Sequence, residues 1–156
     1  MRPGRNRNRT AASARPPWAR VERAAVTAPT LGLMNDPTTD LDAARAEALR
    51  RGVGSYERHI FLCVGPDCCT VEEGATAWAQ LKSGVAKLNG PSDAGRIYRT
   101  KVGCLRVCTS GPVAVIYPEG TWYGGLAPQA LGRVIAEDLG EGRAVHELQI
   151  GRNPLG

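Results

Sequence analysis

The chain has 156 residues, 42% hydrophobic and 22% charged, and no apolar run nears the roughly 18 residues a membrane-spanning helix requires. One small domain with tails is expected; spanning segments, collagen and wholesale disorder are excluded. The net charge of +5 invites a nucleic-acid reading, but residues 1–33 hold seven Arg against one Glu, a net +6 that leaves −1 for the remainder, so neither nucleic acid nor a membrane is an expected partner.

Residues 1–33 run through Arg, Pro, Ala, Asn and Ser with few large aliphatic side chains. Such a stretch cannot bury enough surface to offset the entropy of ordering, so a basic disordered extension is expected. Two other readings stand beside it: an organelle transit peptide, which Pro16-Pro17 and the missing apolar face argue against, and translation starting at Met34. Residues 34–55 read as a short helix and linker. Within them Asp40–Arg51 carries Asp at its start and Arg at its end, as the helix dipole prefers, with Gly52 as the stop.

The folded domain is expected over 56–142. His59–Val64 is a continuous apolar run, the mark of a strand covered on both faces, and it contains Cys63. Thr70-Val71-Glu72-Glu73 fits a capping box, so a helix should start there. Trp78, Leu81, Val85 and Leu88 mark its buried face, Val71 and Ala75 extend it, and Asn89-Gly90-Pro91 ends it. Arg96–Val102 alternates Tyr98, Thr100 and Val102 against Ile97, Arg99 and Lys101, which predicts a half-buried strand with a basic partner face.

Val113–Tyr117 and Thr121–Tyr123 flank Pro118-Glu119-Gly120 as the strands of an antiparallel hairpin. Pro128, the Leu131, Val134, Ile135, Leu139 stripe and Gly140 mark a final helix, and 143–156 reads as a loosely packed tail. The element order is β-α-β-β-β-α, an α/β fold with a four-stranded mixed sheet and two main helices. The helical crossover should make its first two strands parallel neighbours.

The cysteines carry the chemistry. Five Cys in a chain without an apolar signal-peptide core do not form a secreted disulfide framework; a reducing, cytoplasmic setting and metal or redox chemistry are expected. Cys63 and Cys68 lie in CVGPDC, Cys104 and Cys108 in CLRVC, and 35 residues separate the pairs. Each pair follows a predicted strand, and parallel neighbouring strands release their loops at one edge, so four thiols converge on one site. Four soft ligands suit tetrahedral zinc or a 2Fe-2S cluster. The four- and three-residue spacings fit a C-x2-C zinc knuckle poorly. Plant-type spacing fails because position 71 is Val, and Rieske spacing fails because His59 and His146 are not placed beside these cysteines. Gly65, Gly103 and Gly111 allow tight turns and close backbone approach around the site.

C-x4-C, then C-x3-C after strand and helix, then GPVAVIYPEGTWYGGL at 111–126, resembles the thioredoxin-like 2Fe-2S ferredoxins over residues 56–142. The pattern is similar also to the small cluster-bearing subunit of NADH:quinone oxidoreductases. The resemblance implies a thioredoxin-like fold, a 2Fe-2S cluster, one-electron transfer between redox enzymes as partners, and often a homodimer. By that match Cys63, Cys68, Cys104 and Cys108 are the ligands. Cys69 is the alternative to Cys68, since adjacent side chains point in different directions and one of the two is expected to reach iron.

Such a protein carries electrons and is not an enzyme; no phosphate loop and no Ser/His/Asp set competes in the sequence. Two rivals are weighed. One is a zinc-stabilised binding module on the same four thiols, and the other a dithiol oxidoreductase, which lacks its C-x2-C motif. Gly111-Pro112 reads as a cis-proline or an ordinary turn. Arg99, Lys101 and Arg106 read equally as a surface steering an acidic redox partner and as a solvated basic face. Trp122 and Tyr123 read as packed side chains or as a shield for the site.

Overall fold

Strand pairing is set by two patterns, continuous apolar runs in the first and third strands and a helix between the first two. The computed structural model describes residues 37–91 and 95–155. All belong to the compact unit Asp36–Gly156, and the extension expected over 1–33 lies outside the described residues. The elements are α1 (Pro37–Arg50), β1 (Arg58–Cys63), α2 (Val71–Asn89), β2 (Ile97–Val102), β3 (Ala114–Tyr117), β4 (Thr121–Tyr123), α3 (Pro128–Arg133), which runs on as a π-helical stretch over Val134–Gly140, and β5 (Gln149–Arg152). The sheet order is β2-β1-β3-β4-β5. β1 and β2 are parallel and the other neighbours antiparallel, as the crossover and hairpin readings require.

One sheet face carries Ile60, Leu62, Ile97, Ala114, Ile116 and Tyr123, and packs on Ala77, Leu81 and Val85 of α2 and on Leu131, Val134, Ile135 and Leu139. The opposite face is not a second core, which corrects the expectation that β1 is covered alike on both sides. There His59 and Phe61 are half-buried; the His59 ring stacks on Phe61 at 3.9 Å and hydrogen-bonds Thr100 at 2.8 Å. Toward the end of β1, a smaller cluster gathers Cys63, Cys68 and Val113 with Val102, Leu105, Val107 and Trp122.

The capping box forms as read: the Glu73 amide donates to Thr70 Oγ1 and the Thr70 amide to Glu73 Oε2. Gly90 closes α2 with φ +70°, where a side chain would be strained. Asn89 then fastens the incoming strand, its Nδ2 donating to the Ile97 carbonyl and its Oδ1 accepting from the Ile97 amide. The buried face of α2 differs from the expected one: Val71, Ala75 and Leu88 face outward, and the seam runs through Gly74, Ala77, Leu81 and Val85. Small residues bring the helix close. A Cβ on Gly84 would stand 2.7 Å from Ile135 Cγ2, inside van der Waals contact.

Two further expectations change. The segment 143–156 is not a loose tail: Val145 is buried in the core, and β5 adds a fifth strand against β4 in place of the four expected. Its QIGR sequence alternates half-buried and exposed residues at the sheet edge, so little apolar patterning announces it. Trp122 and Tyr123 also part company. Adjacent strand residues face opposite sides, so Tyr123 enters the main core and Trp122 joins the cluster beside the thiols. The Gly111–Pro112 bond is cis.

Candidate metal centre

β1 ends where its apolar run meets Gly65-Pro66, and β2 ends at Gly103. Cys63, the last residue of β1, is in register with Val102, the last of β2. Both loops therefore leave one edge of the sheet at the same level, and this pairing brings the two cysteine segments together. Glycine lets them touch: a Cβ on Gly65 would stand 2.0 Å from the Gly103 carbonyl oxygen, and one on Gly111 1.9 Å from the Cys68 carbonyl oxygen and 2.6 Å from its Sγ.

In the first loop the amides of Cys68 and Cys69 both donate to the Gly65 carbonyl, at 2.9 and 3.1 Å. This one turn curls the chain back and sets the Cys68 thiol beside that of Cys63, near enough to hold up its pKa, while the Val113 backbone acts on the same sulfur in the opposite sense. The Cys69 sulfur packs beneath the first turn of α2, 3.2 Å from where a Gly74 Cβ would lie, and Cys63 acts on it through charge.

In the second loop Leu105 and Val107 point inward onto the Cys63, Cys68 and Val113 cluster, while Cys104, Arg106 and Cys108 are exposed. The Cys104 thiol lies near enough to that of Cys108 to raise its pKa. Arg106, with φ +62°, donates its amide to Cys104 Sγ at 3.2 Å. Neither Arg106 nor Ser110, at φ +56°, is of a residue type that announces a left-handed backbone, and sequence reasoning missed both.

The four thiols thus stand as two neighbouring pairs, one buried and one at the surface. Burial first, then the neighbouring Cys63 thiol, pushes Cys68 up to about 11. Burial followed by the charges of Cys63 and Glu73 raises Cys69, and burial with the charge of Cys104 raises Cys108. Cys68, Cys69 and Cys108 thus resist ionising in this setting, and a bound cation removes that resistance. Among the described residues, no three His, Cys, Asp or Glu side chains gather as ligands of one ion. Two pairs of thiols supply the two thiolates per iron that a 2Fe-2S cluster requires.

Of the three cations considered for steering, only Arg106 lies within the thiol loops. Arg99 and Lys101 alternate with Tyr98 and Thr100, on the side of β2 that carries Ile97.

No family model matches the chain. Among curated proteins it is similar to a 2Fe-2S ferredoxin of Clostridium pasteurianum, 26% identical over 101 residues, covering 60% of this chain and 96% of that protein. A protein of Priestia megaterium assigned as a 2Fe-2S ferredoxin is 31% identical over 91 residues, covering 58% of this chain and 68% of the relative. Among solved structures, a thioredoxin-like 2Fe-2S ferredoxin from Aquifex aeolicus superposes with a TM-score of 0.55 at 25% identity, covering 64% of this chain and 96% of that one.

Proposed function

The chain belongs to the 2Fe-2S ferredoxins of thioredoxin-like fold, and from that premise we propose that Cys63 and Cys68 ligate one iron of its cluster and Cys104 and Cys108 the other. The protein is an electron carrier with a 2Fe-2S cluster. The observation that carries the ligand assignment is the register of Cys63 with Val102, which sets two strand-end loops at one edge with their thiols in neighbouring pairs. When bound, the cluster supplies a one-electron redox couple. Cys68 is taken over Cys69 because its thiol meets Cys63 beside Gly111, whereas Cys69 packs under α2.

The residues divide the work by burial. Cys63, Cys68 and Val113, covered by Trp122, Leu105 and Val107, keep water from one side of the centre. Cys104 and Cys108 stand exposed and form the side through which an electron enters or leaves. We read this face as the contact for redox enzymes, which meet such carriers through small transient interfaces; a homodimer belongs to the same reading on the family resemblance. We assign no catalysis to the chain. An odd number of cysteines does not make a disulfide framework and suits a reducing compartment, so the cytoplasm is the inferred location. No helix among the described residues is long and apolar enough to cross a membrane.

The test is iron, zinc and acid-labile sulfide content of anaerobically purified protein, with an EPR spectrum before and after dithionite. About two irons and two sulfides per chain, silent when oxidised and S = 1/2 when reduced, is the expected result. One zinc per chain without sulfide would overturn it in favour of a structural metal module. The ligand assignment is tested by comparing Cys68→Ser, expected to lower iron content, with Cys69→Ser, expected to leave it unchanged.

A further inference from the structure

One carboxylate is fixed beside the thiol centre by a task that does not need its charge. Glu73 closes the capping box of α2, its Oε2 accepting from the Thr70 amide at 2.8 Å and from the Thr70 hydroxyl at 2.9 Å. A glutamine would close the box as well, since this position takes Glu or Gln. The backbone bond first, then the hydroxyl, hold the Glu73 carboxyl below the usual carboxylate range, so it is ionised at neutral pH. Thr70 directly follows Cys68-Cys69, which keeps that charge within one short turn of the loop holding Cys68. Its field reaches the buried Cys69 thiol, which it raises after burial itself and Cys63. Glu73 also lines a cavity of about 280 Å³ together with Glu72, Thr76, Gly111 and Pro112, and Gly111 is the residue whose Cβ would stand 2.6 Å from Cys68 Sγ. Among the described residues no Lys or Arg lines that cavity. Cys68, Cys69 and Gly74 are buried, so protein rather than water fills this side of the centre and screens the charge less.

We propose that the carboxylate of Glu73, held in place by Thr70, sets the reduction potential of the centre by making it harder to reduce. The inference rests on the assignment of Cys63, Cys68, Cys104 and Cys108 as cluster ligands. Taking up one electron from a redox partner forms and breaks no bond and moves no proton. It adds one negative charge to a centre that four thiolates already make anionic, and a fixed carboxylate nearby repels the reduced state more than the oxidised one. The N-terminal end of α2 acts in the opposite sense. Its unpaired N–H groups give the start of this 19-residue helix a partial positive charge, next to the same loop. Glu73 therefore offsets, at the centre, the helix end that its own hydrogen bonds help to build.

Cap and charge separate by substitution. Glu73→Gln keeps the cap and removes the charge. Glu73→Asp keeps the charge on a side chain one methylene shorter, which weakens the cap. Glu73→Ala loses both; it is read against Glu73→Asp and takes the place of Glu73→Gln if that protein assembles no cluster. Cluster content of the full chain is read first from iron, sulfide and visible absorption, then the midpoint potential from a dye-mediated titration followed by EPR. At a fixed ambient potential the reduced-to-oxidised ratio of Glu73→Gln is expected to rise roughly threefold above the parent, about 28 mV at about 59 mV per tenfold for a one-electron couple. Glu73→Asp is expected to stay near the parent, and Glu73→Ala to exceed Glu73→Asp by the same factor. Glu73 is exposed, so the gap between Glu73→Gln and the parent should narrow in about 1 M salt. A neutral variant with the potential of its charged comparison would overturn the proposal. A shift in Glu73→Asp as large as that in Glu73→Gln would overturn it too, because the charge is retained there. Absence of a cluster from the parent protein would overturn the ligand assignment and this inference with it, whereas equal potentials in loaded proteins leave that assignment standing.

Discussion

His59 shows how one side chain links the sheet face to solution conditions. Its ring stacks on Phe61, meets Tyr56 and Tyr98 edge-on and hydrogen-bonds Thr100, and burial lowers its pKa from 6.5 to about 4. The unfolded chain takes up this proton near 6.5 and the folded chain only near 4, so the unfolded state binds more protons between those values. Stability is therefore complete above about 6.5 and falls as pH drops toward 4. Solvent screening at this half-exposed ring reduces the loss to about 1–2 kcal/mol. Urea unfolding of the cluster-bearing protein at pH 7 and pH 5 should show the parent losing more of its midpoint than His59→Gln, which has no charge to gain. Equal losses would mean that His59 does not carry the slope. The five cysteines and the histidine are plain in the sequence, but Cys68 and Cys69 are not distinguishable there. Spacing along a chain specifies separation, and the direction of each thiol depends on a turn closed on the Gly65 carbonyl.

At the scale of elements, the site depends on how closely two loops approach. Gly65 has the Gly103 carbonyl where its Cβ would be, whereas a Cβ on Gly103 would meet nothing within 4 Å. Gly65→Ala is therefore expected to force the C-x4-C and C-x3-C loops apart and lower the iron-to-protein ratio several-fold, while Gly103→Ala leaves it near the parent value. Similar iron content in both would show that the loops adjust without loss. The start and end of α2 were legible because capping is local: Thr70, Glu73 and Gly90 act within a turn of the chain. Its buried face departs from the spacing of the large apolar residues because Gly74 and Ala77 join Leu81 and Val85 in the seam, and such small residues leave little hydrophobic signal. β5 escaped notice for a related reason. An edge strand of four residues needs little apolar alternation when its partner, β4, supplies the hydrogen bonds.

The molecule has two poles, joined by β1. At one end Cys63 enters the thiol centre. At the other Arg58 donates to the backbone carbonyl and carboxylate of Asp138, while the Tyr123 hydroxyl donates to Asp138 Oδ2 at 2.5 Å and accepts from the Val145 amide at 3.1 Å. This buried network ties β1, β4, the C-terminal helix and the segment before β5 around a carboxylate whose side chain is only 4% exposed. Removing Asp138 leaves the buried Tyr123 hydroxyl without its acceptor and takes from Arg58 one of its two carboxylate partners, Glu119 remaining at 3.0 Å, so Asp138→Ala should cost about 3 kcal/mol of stability, read as a lower thermal midpoint. The poles lie about 17 Å apart along β1 at roughly 3.4 Å per residue. The same variant should therefore keep the parent's reduction potential once its cluster is loaded. A shifted potential would show that the network positions the thiol loops as well as the core.

Sequence alone determined the chemistry of the centre and the order of the elements. Thiolate softness, paired spacing at strand ends, a capping box and a hairpin turn are properties of residue types a few positions apart, and they act wherever the chain goes. Only the tertiary structure decided how closely the two thiol loops approach, which of two adjacent cysteines lies beside Cys63 and Gly111, and that the last residues complete the sheet. These depend on the register of β1 against β2, on glycines that admit a neighbouring backbone, and on a left-handed turn at Arg106. Each is a contact or a constraint between segments far apart in the chain, or imposed on a residue by its packed neighbours, and no local pattern encodes it.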